Sequence, residues 1–154
     1  MIQEGNRVPR EEFRYRSEFR VRFGETDLQG VVFNANYLLY VDTTQMDYLR
    51  DIGVPYALMR SQGHDIVIAE AHLQFKAPAR FDEVIDAYAR VPEIGNTSFR
   101  MEFELYARAG GRLLVTARTV YVIVEEGAGQ PVRVPAYLRQ AVGAFEGGGQ
   151  IAPQ

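Results

Sequence analysis

The sequence predicts an α+β domain in which one long helix is followed by four or five antiparallel strands that curl around it. Three observations carry this. A helical stretch from about Asn36 to Asp51, apolar around most of its first half, is stopped by Gly53 and Pro55. Behind it come segments in which apolar and polar residues alternate with the period of two expected of half-buried strands. The turns between those segments are short, which calls for antiparallel neighbours.

Taken in order, Phe13, Tyr15, Phe19, Val21 and Phe23 are apolar, with the polar Glu18, Arg20 and Arg22 alternating with the last three, so a first strand is expected to end at Gly24. Asn34 and Asn36 are each able to cap the helix that starts with Tyr37, Leu38, Leu39, Tyr40 and Val41. A short second helical piece is expected from Pro55 to Ser61. Val67, Ala69, Ala71, Leu73 and Phe75 then face one way, and Glu70, His72 and Gln74 the other. Ile85, Ala87, Ala89 and Val91 repeat the pattern, as do Phe99, Met101, Phe103, Leu105 and Ala107 against Arg100, Glu102 and Glu104. A fourth segment, Leu113 to Val124, is apolar on both faces in places, as in a central strand. Ala77-Pro78-Ala79, Glu93-Ile94-Gly95-Asn96 and Gly110-Gly111 supply the turns. A short helix from Pro135 to Phe145 closes the chain. The expected organisation is an N-terminal extension over 1–12, a single domain over 13–146 and a flexible tail over 147–154.

Composition narrows the function classes. The chain has 154 residues, 47% of them hydrophobic, which suits one domain with a real core. A net charge of −3 and a pI near 5.4 argue against nonspecific binding to nucleic acid, which leaves a basic footprint. There is no cysteine, so disulfides, thiol nucleophiles and cysteine-ligated metal centres are excluded. Met1 to Glu12 has no apolar leader core, and no run approaches the ~20 apolar residues of a membrane span, so a cytoplasmic location is expected. No His-x-x-x-His or acidic-loop metal motif is present, and no metal site is expected.

The most informative stretch is Phe23-Gly24-Glu25-Thr26-Asp27-Leu28-Gln29-Gly30-Val31-Val32-Phe33-Asn34-Ala35-Asn36-Tyr37. It places an acid, Asp27, in a loop directly before a helix N-terminus. Main-chain N–H groups and the positive end of the helix dipole gather there, ready for a carbonyl oxygen that is becoming negative. The run Asp27-x-x-Gly30-Val31-Val32-Phe33-x-Ala35-Asn36-Tyr37, preceded by Thr26, closely resembles the signature of hotdog-fold acyl-CoA thioesterases of the 4-hydroxybenzoyl-CoA thioesterase type, including the short bacterial enzymes associated with the Tol-Pal system. The order of elements over roughly residues 15 to 140 resembles that family as well, and the curled sheet around one central helix is the hotdog arrangement.

The resemblance implies hydrolysis of an acyl-CoA thioester with no metal and no cofactor, coenzyme A being part of the substrate. It makes Asp27 the catalytic carboxylate and the backbone N–H of Asn34 the oxyanion donor. Close relatives often carry His at the Asn34 position, so this chain departs from them in the side chain but keeps the main-chain group. Gly30, Val32, Phe33 and Tyr37 fall within the signature and are expected to shape the substrate site. Lys76 and Arg80, flanking a turn at the end of the second strand, are candidates for coenzyme A phosphate contacts, with Arg90 and Arg112 as lesser ones. Thr97 and Ser98 resemble a segment that lines the groove from a neighbouring subunit. The expected assembly is therefore a homodimer or homotetramer.

Each candidate has a plainer reading beside it. Asp27 also suits a turn, because Asp bonds nearby backbone N–H groups in loops. Glu25 reads as a solvated loop acid. His64 and His72 carry little signal, and no Gly-x-Ser-x-Gly elbow supports a serine triad. Asp42 on the helix is the next acid to consider if Asp27 is dispensable. Two alternatives remain beside a thioesterase: a dehydratase, which needs a catalytic histidine the Asn34 motif does not provide, and a noncatalytic acyl-binding or scaffolding protein.

Overall fold

The structure is a computed structural model describing residues 10–147. Most of the expected N-terminal extension and all but the first residue of the expected tail lie outside that range.

Five strands form one antiparallel sheet: β1 (Tyr15–Arg20), β2 (His64–Phe75), β3 (Val84–Ile94), β4 (Ser98–Ala107) and β5 (Arg112–Glu125), in the order β1-β3-β4-β5-β2. The helices are α1 (Asn36–Asp51), α2 (Tyr56–Ser61) and α3 (Ala136–Glu146). The sheet's inner face carries Ile85, Ala87, Ala89 and Val91 of β3, Phe99, Met101, Phe103 and Leu105 of β4 and Val115, Ala117, Tyr121 and Ile123 of β5, all buried. Helix α1 lays Tyr37, Tyr40, Val41, Thr44, Gln45, Tyr48 and Leu49 against it, the i, i+3, i+4 spacing of a single helical face. Aromatic pairs key the helix to β1: Phe19 lies 4.6 Å from Tyr40, and Tyr15 5.2 Å from Tyr48, ring centre to ring centre. Hydrogen bonds do the same from Tyr15 to Asp51 and from Ser17 to Asp47. Helix α3 closes the far end, where Glu146 accepts from the Tyr48 hydroxyl at 2.7 Å and the Val91 N–H at 3.0 Å.

Four details differ from the sequence expectation. The first strand stops at Arg20, and Phe23 begins a 3₁₀ turn with its ring 77% exposed, packed edge-on to Phe81. β2 and β3 follow one another in sequence but sit three strands apart, because β2 crosses to the far edge and pairs with β5. A bulge between Ile68 and Glu70 resets the alternation of β2, so Val67, paired with Val122, falls on the same face as Glu70 and His72. Neither Asn34 nor Asn36 caps α1 through its side chain; the N-cap is Ala35, and the Asn36 amide donates to the Glu25 carbonyl at 2.8 Å.

On the outer face, Asp86 of β3 has a side chain only 7% exposed and is held by Arg16 at 2.9 Å and Arg108 at 2.7 Å, with Glu18 also pairing to Arg108. Burial pushes the Asp86 carboxyl up, but the guanidiniums of Arg108 and Arg16 outweigh it and hold it below its ordinary 3.8. The unfolded chain therefore binds this proton more tightly than the folded one, and the stabilisation is present above pH 3.8 and lost as pH falls below it. Asp86→Asn is expected to lower stability at pH 7 and to flatten acid unfolding over that window, as read from urea midpoints against pH.

Candidate active site

The loop between β1 and α1 is built as a small hairpin. Thr26 and Val32 pair as an isolated antiparallel bridge, the Asp27 N–H donates to the Val31 carbonyl at 2.9 Å, and the Gly30 N–H donates back to the Asp27 carbonyl at 2.9 Å. Gly30 has φ +78°, with open space where a Cβ would stand, so the turn needs glycine for its left-handed backbone rather than for a close approach. The Asp27 side chain joins the turn through Oδ1, which accepts the Gln29 N–H at 2.8 Å. The plainer turn reading of Asp27 is thus met in the structure, and it occupies only one carboxylate oxygen. Oδ2 makes no hydrogen bond among the described residues, and the side chain is half-buried.

Glu25 is what anchors this hairpin to the helix. Its side chain is 12% exposed; Oε1 accepts from the Arg22 N–H at 2.7 Å and the Tyr40 hydroxyl at 3.0 Å, while Oε2 lies 3.4 Å from the Arg22 guanidinium. Its carbonyl takes the Phe33 N–H at 3.0 Å as well as the Asn36 amide. Glu25 is therefore a structural tether and not a solvated loop acid. No sequence signal marks this role, because the contacts that tie it to α1 come from Asn36 and Tyr40, eleven and fifteen residues away.

Val32 and Tyr37, expected to shape the substrate site, are 1% and 2% exposed and hold the loop from within. The Val32 N–H donates to the Ala79 carbonyl at 2.9 Å, and the Tyr37 hydroxyl accepts the Ala79 N–H at 3.0 Å. Burial pushes the Tyr37 phenol up, and the charges of Glu83 and Asp27 add to this. The Tyr37 ring meets Phe75 at 5.6 Å. The hairpin thus sits against the β2 end and the 76–79 turn.

Phe33 and Asn34 are exposed. The Asn36 N–H bonds the Phe33 carbonyl at 2.9 Å and the Tyr37 N–H the Asn34 carbonyl at 3.2 Å, so the first turn of the helix is already wound at this point. The N–H groups of Asn34 and Ala35 make no hydrogen bond among the described residues. One loop therefore carries both a half-buried carboxylate and, at the helix's positive end, two unpartnered donors, groups of the kind that hold an oxyanion and act on the carbon beneath it.

Lys76 and Arg80 are exposed on the same turn, and neither side chain has an ion-pair partner among the described residues. Arg112 is bound by Glu83 at 2.9 Å and Arg90 by Glu102 at 2.9 Å, which removes both from the pool of unengaged cations. Thr97 and Ser98 lie elsewhere. The Thr97 carbonyl accepts from Ile123, and Ser98 is paired with Val122, whereas Phe75 is paired with Val115. Seven residues of β5, about 23 Å at ~3.3 Å per residue, separate them from the Asp27 end within one chain.

Comparison with known proteins identifies the family. The profile of the thioesterase-like superfamily matches residues 21–142. The acyl-CoA thioesterase YbgC of Haemophilus influenzae is 26% identical over 124 residues, spanning 79% of this chain and 89% of that protein. A solved gentisyl-coenzyme A thioesterase is 27% identical and superposes with a TM-score of 0.75 over 83% of this chain and 99% of the other. A DHNA-CoA thioesterase from Staphylococcus aureus, 22% identical, shares the fold with a TM-score of 0.79 over 85% of this chain and 89% of the other. The chain belongs to the thioesterase-like superfamily. It is a hotdog-fold thioester hydrolase.

Proposed function

We propose that the protein hydrolyses an acyl-CoA thioester at the Asp27 loop, in a site completed by a second copy of the chain. The observation that carries the reading is that one loop holds both an unengaged carboxylate oxygen on Asp27 and the unpartnered N–H groups that open α1. The thioester oxygen points at the Asn34 N–H, where charge builds as the carbonyl carbon becomes tetrahedral. Asp27 either attacks that carbon to give a mixed anhydride, later cleaved by water, or takes a proton from the attacking water. In both routes the C–S bond breaks, coenzyme A leaves as its thiol and the acyl group leaves as a carboxylate. Lys76 and Arg80 supply positive charge for the coenzyme A phosphates at the mouth of the site.

The second copy follows from β2. This strand has twelve residues and an unpaired outer edge among the described residues, with Val67, Ile68 and Phe75 between 44% and 55% exposed. Such an edge is normally covered by another strand. Antiparallel pairing of two β2 edges sets the His64 end of one chain beside the Phe75 end of the other. It moves Thr97 and Ser98 of one copy toward Asp27 of its partner, which supports their role as groove-lining residues contributed across the interface. A homodimer is the smallest closed assembly of this kind, and a homotetramer is two of them.

Release of free thiol from short, long and aromatic acyl-CoAs tests the activity and reads the acyl preference together. Rates at the buffer blank across the panel, from protein whose mass by light scattering is at least twice 17.4 kDa, would replace the enzyme with an acyl-binding protein.

A further inference from the structure

We propose that the outer face of the sheet carries a second site, separate from the thioester site, that binds a phosphate monoester. A well of about 620 Å³ lies there, lined by Glu70 and His72 of β2, Arg118 and Val120 of β5 and Arg100 of β4. Its origin is readable from the register. Glu70, Val120 and Arg100 form one row across three strands, and His72, Arg118 and Glu102 form the next. Val120 is the short side chain among long ones, so it becomes an apolar floor walled by two guanidiniums, an imidazole and a carboxylate.

Arg118 is the cation of the well that no carboxylate engages among the described residues. Glu102 stands directly opposite Arg118, but it is bound by Arg90 at 2.9 Å. Arg118 is left exposed with no ion-pair partner among the described residues, as is His72. Arg100 is steadied by Glu93 at 2.8 Å on its far side, which orients the guanidinium without enclosing it. Arg118, on the β5 side of the Val120 floor, offers an unpaired guanidinium fork that suits phosphate oxygens, with His72 beside it as a second N–H donor. Glu70 on the opposite wall accepts from hydroxyl or amino groups, and the volume exceeds that of phosphate alone. These two features favour a ligand in which the phosphate is attached to a polar ring system, such as a nucleoside monophosphate, over the free ion. Leu73, Phe75 and Ala117 alternate with His72 and Arg118, and they lie on the inner face with the Asp27 loop, so the sheet itself separates the two sites.

Calorimetric titration at low ionic strength with inorganic phosphate, adenosine monophosphate and adenosine tests this, alongside thiol release from an acyl-CoA. The expected result is saturable binding of the two phosphate-bearing probes, one per chain and at least tenfold weaker in Arg118→Ala, with kcat and KM for the acyl-CoA unchanged by that substitution. Adenosine is expected not to bind. Tighter binding of the nucleotide than of phosphate supports the monoester, and equal binding overturns it in favour of the free ion. Absence of saturable binding by either phosphate probe, or equal binding in Arg118→Ala with its circular dichroism unchanged, overturns the site. So does an Arg118→Ala variant whose KM for acyl-CoA rises as much as its phosphate binding falls, because the phosphate would then belong to the coenzyme A of the substrate.

Discussion

Asp27→Asn is expected to keep fold and assembly while lowering thioester hydrolysis by at least ~10²-fold, the scale lost with a positioned acid–base group. The structure makes this substitution unusually clean. Asn keeps an Oδ1 that accepts the Gln29 N–H, so the hairpin of Thr26 to Val32 retains its side-chain bond. What disappears is the charge and basicity of the oxygen that bonds nothing in the loop. A residue serving only the turn would tolerate the change, whereas one that attacks or deprotonates would not. Near-normal thiol release with an unchanged circular dichroism spectrum would remove Asp27 from the chemistry. Asp42 would then be the acid to pursue: it is half-buried on α1, with Oδ1 3.4 Å from the Tyr121 hydroxyl.

The helix and the strands were legible in the sequence because their signal is local. The spacing from Tyr37 to Leu49 is visible as periodicity, and α1 spans Asn36–Asp51 as that periodicity predicts. Strand order was not legible. The alternation of β2 says which face is buried but nothing about which neighbour it pairs with, and the crossing of β2 to the edge beside β5 is decided by how the sheet wraps the helix. The bulge after Ile68 is equally silent, since no glycine or proline marks it. In the site, the Asp27 turn was readable from Asp, Gly30 and the helix start behind them. Glu25 was not, because an acid whose carboxylate bonds Tyr40 and the Arg22 N–H looks in sequence like any other loop acid. Val32 and Tyr37 show the converse: the signature that marks the site also contains the residues that pack it.

Asn34→Pro is expected to cut turnover by at least ~10²-fold, and Asn34→Ala to stay within about tenfold of the parent, since loss of one oxyanion donor costs ~10²–10³. The contrast isolates the main chain from the side chain. Proline deletes the N–H, and here it deletes no existing hydrogen bond, because that N–H has no partner among the described residues. The position also suits it. The Asn36 N–H to Phe33 carbonyl bond makes Asn34 the second residue of a tight turn, where proline's fixed φ is favoured. Proline restricts Phe33, which lies outside any helix and so has room for the extended conformation required before it. Retained mass by light scattering and an unchanged melting temperature confirm that the loop survives. An alanine variant as inactive as the proline variant, with both folded, would sink the assignment. The Asn34 carboxamide, and not the backbone, would then be the group that meets the substrate or the attacking water.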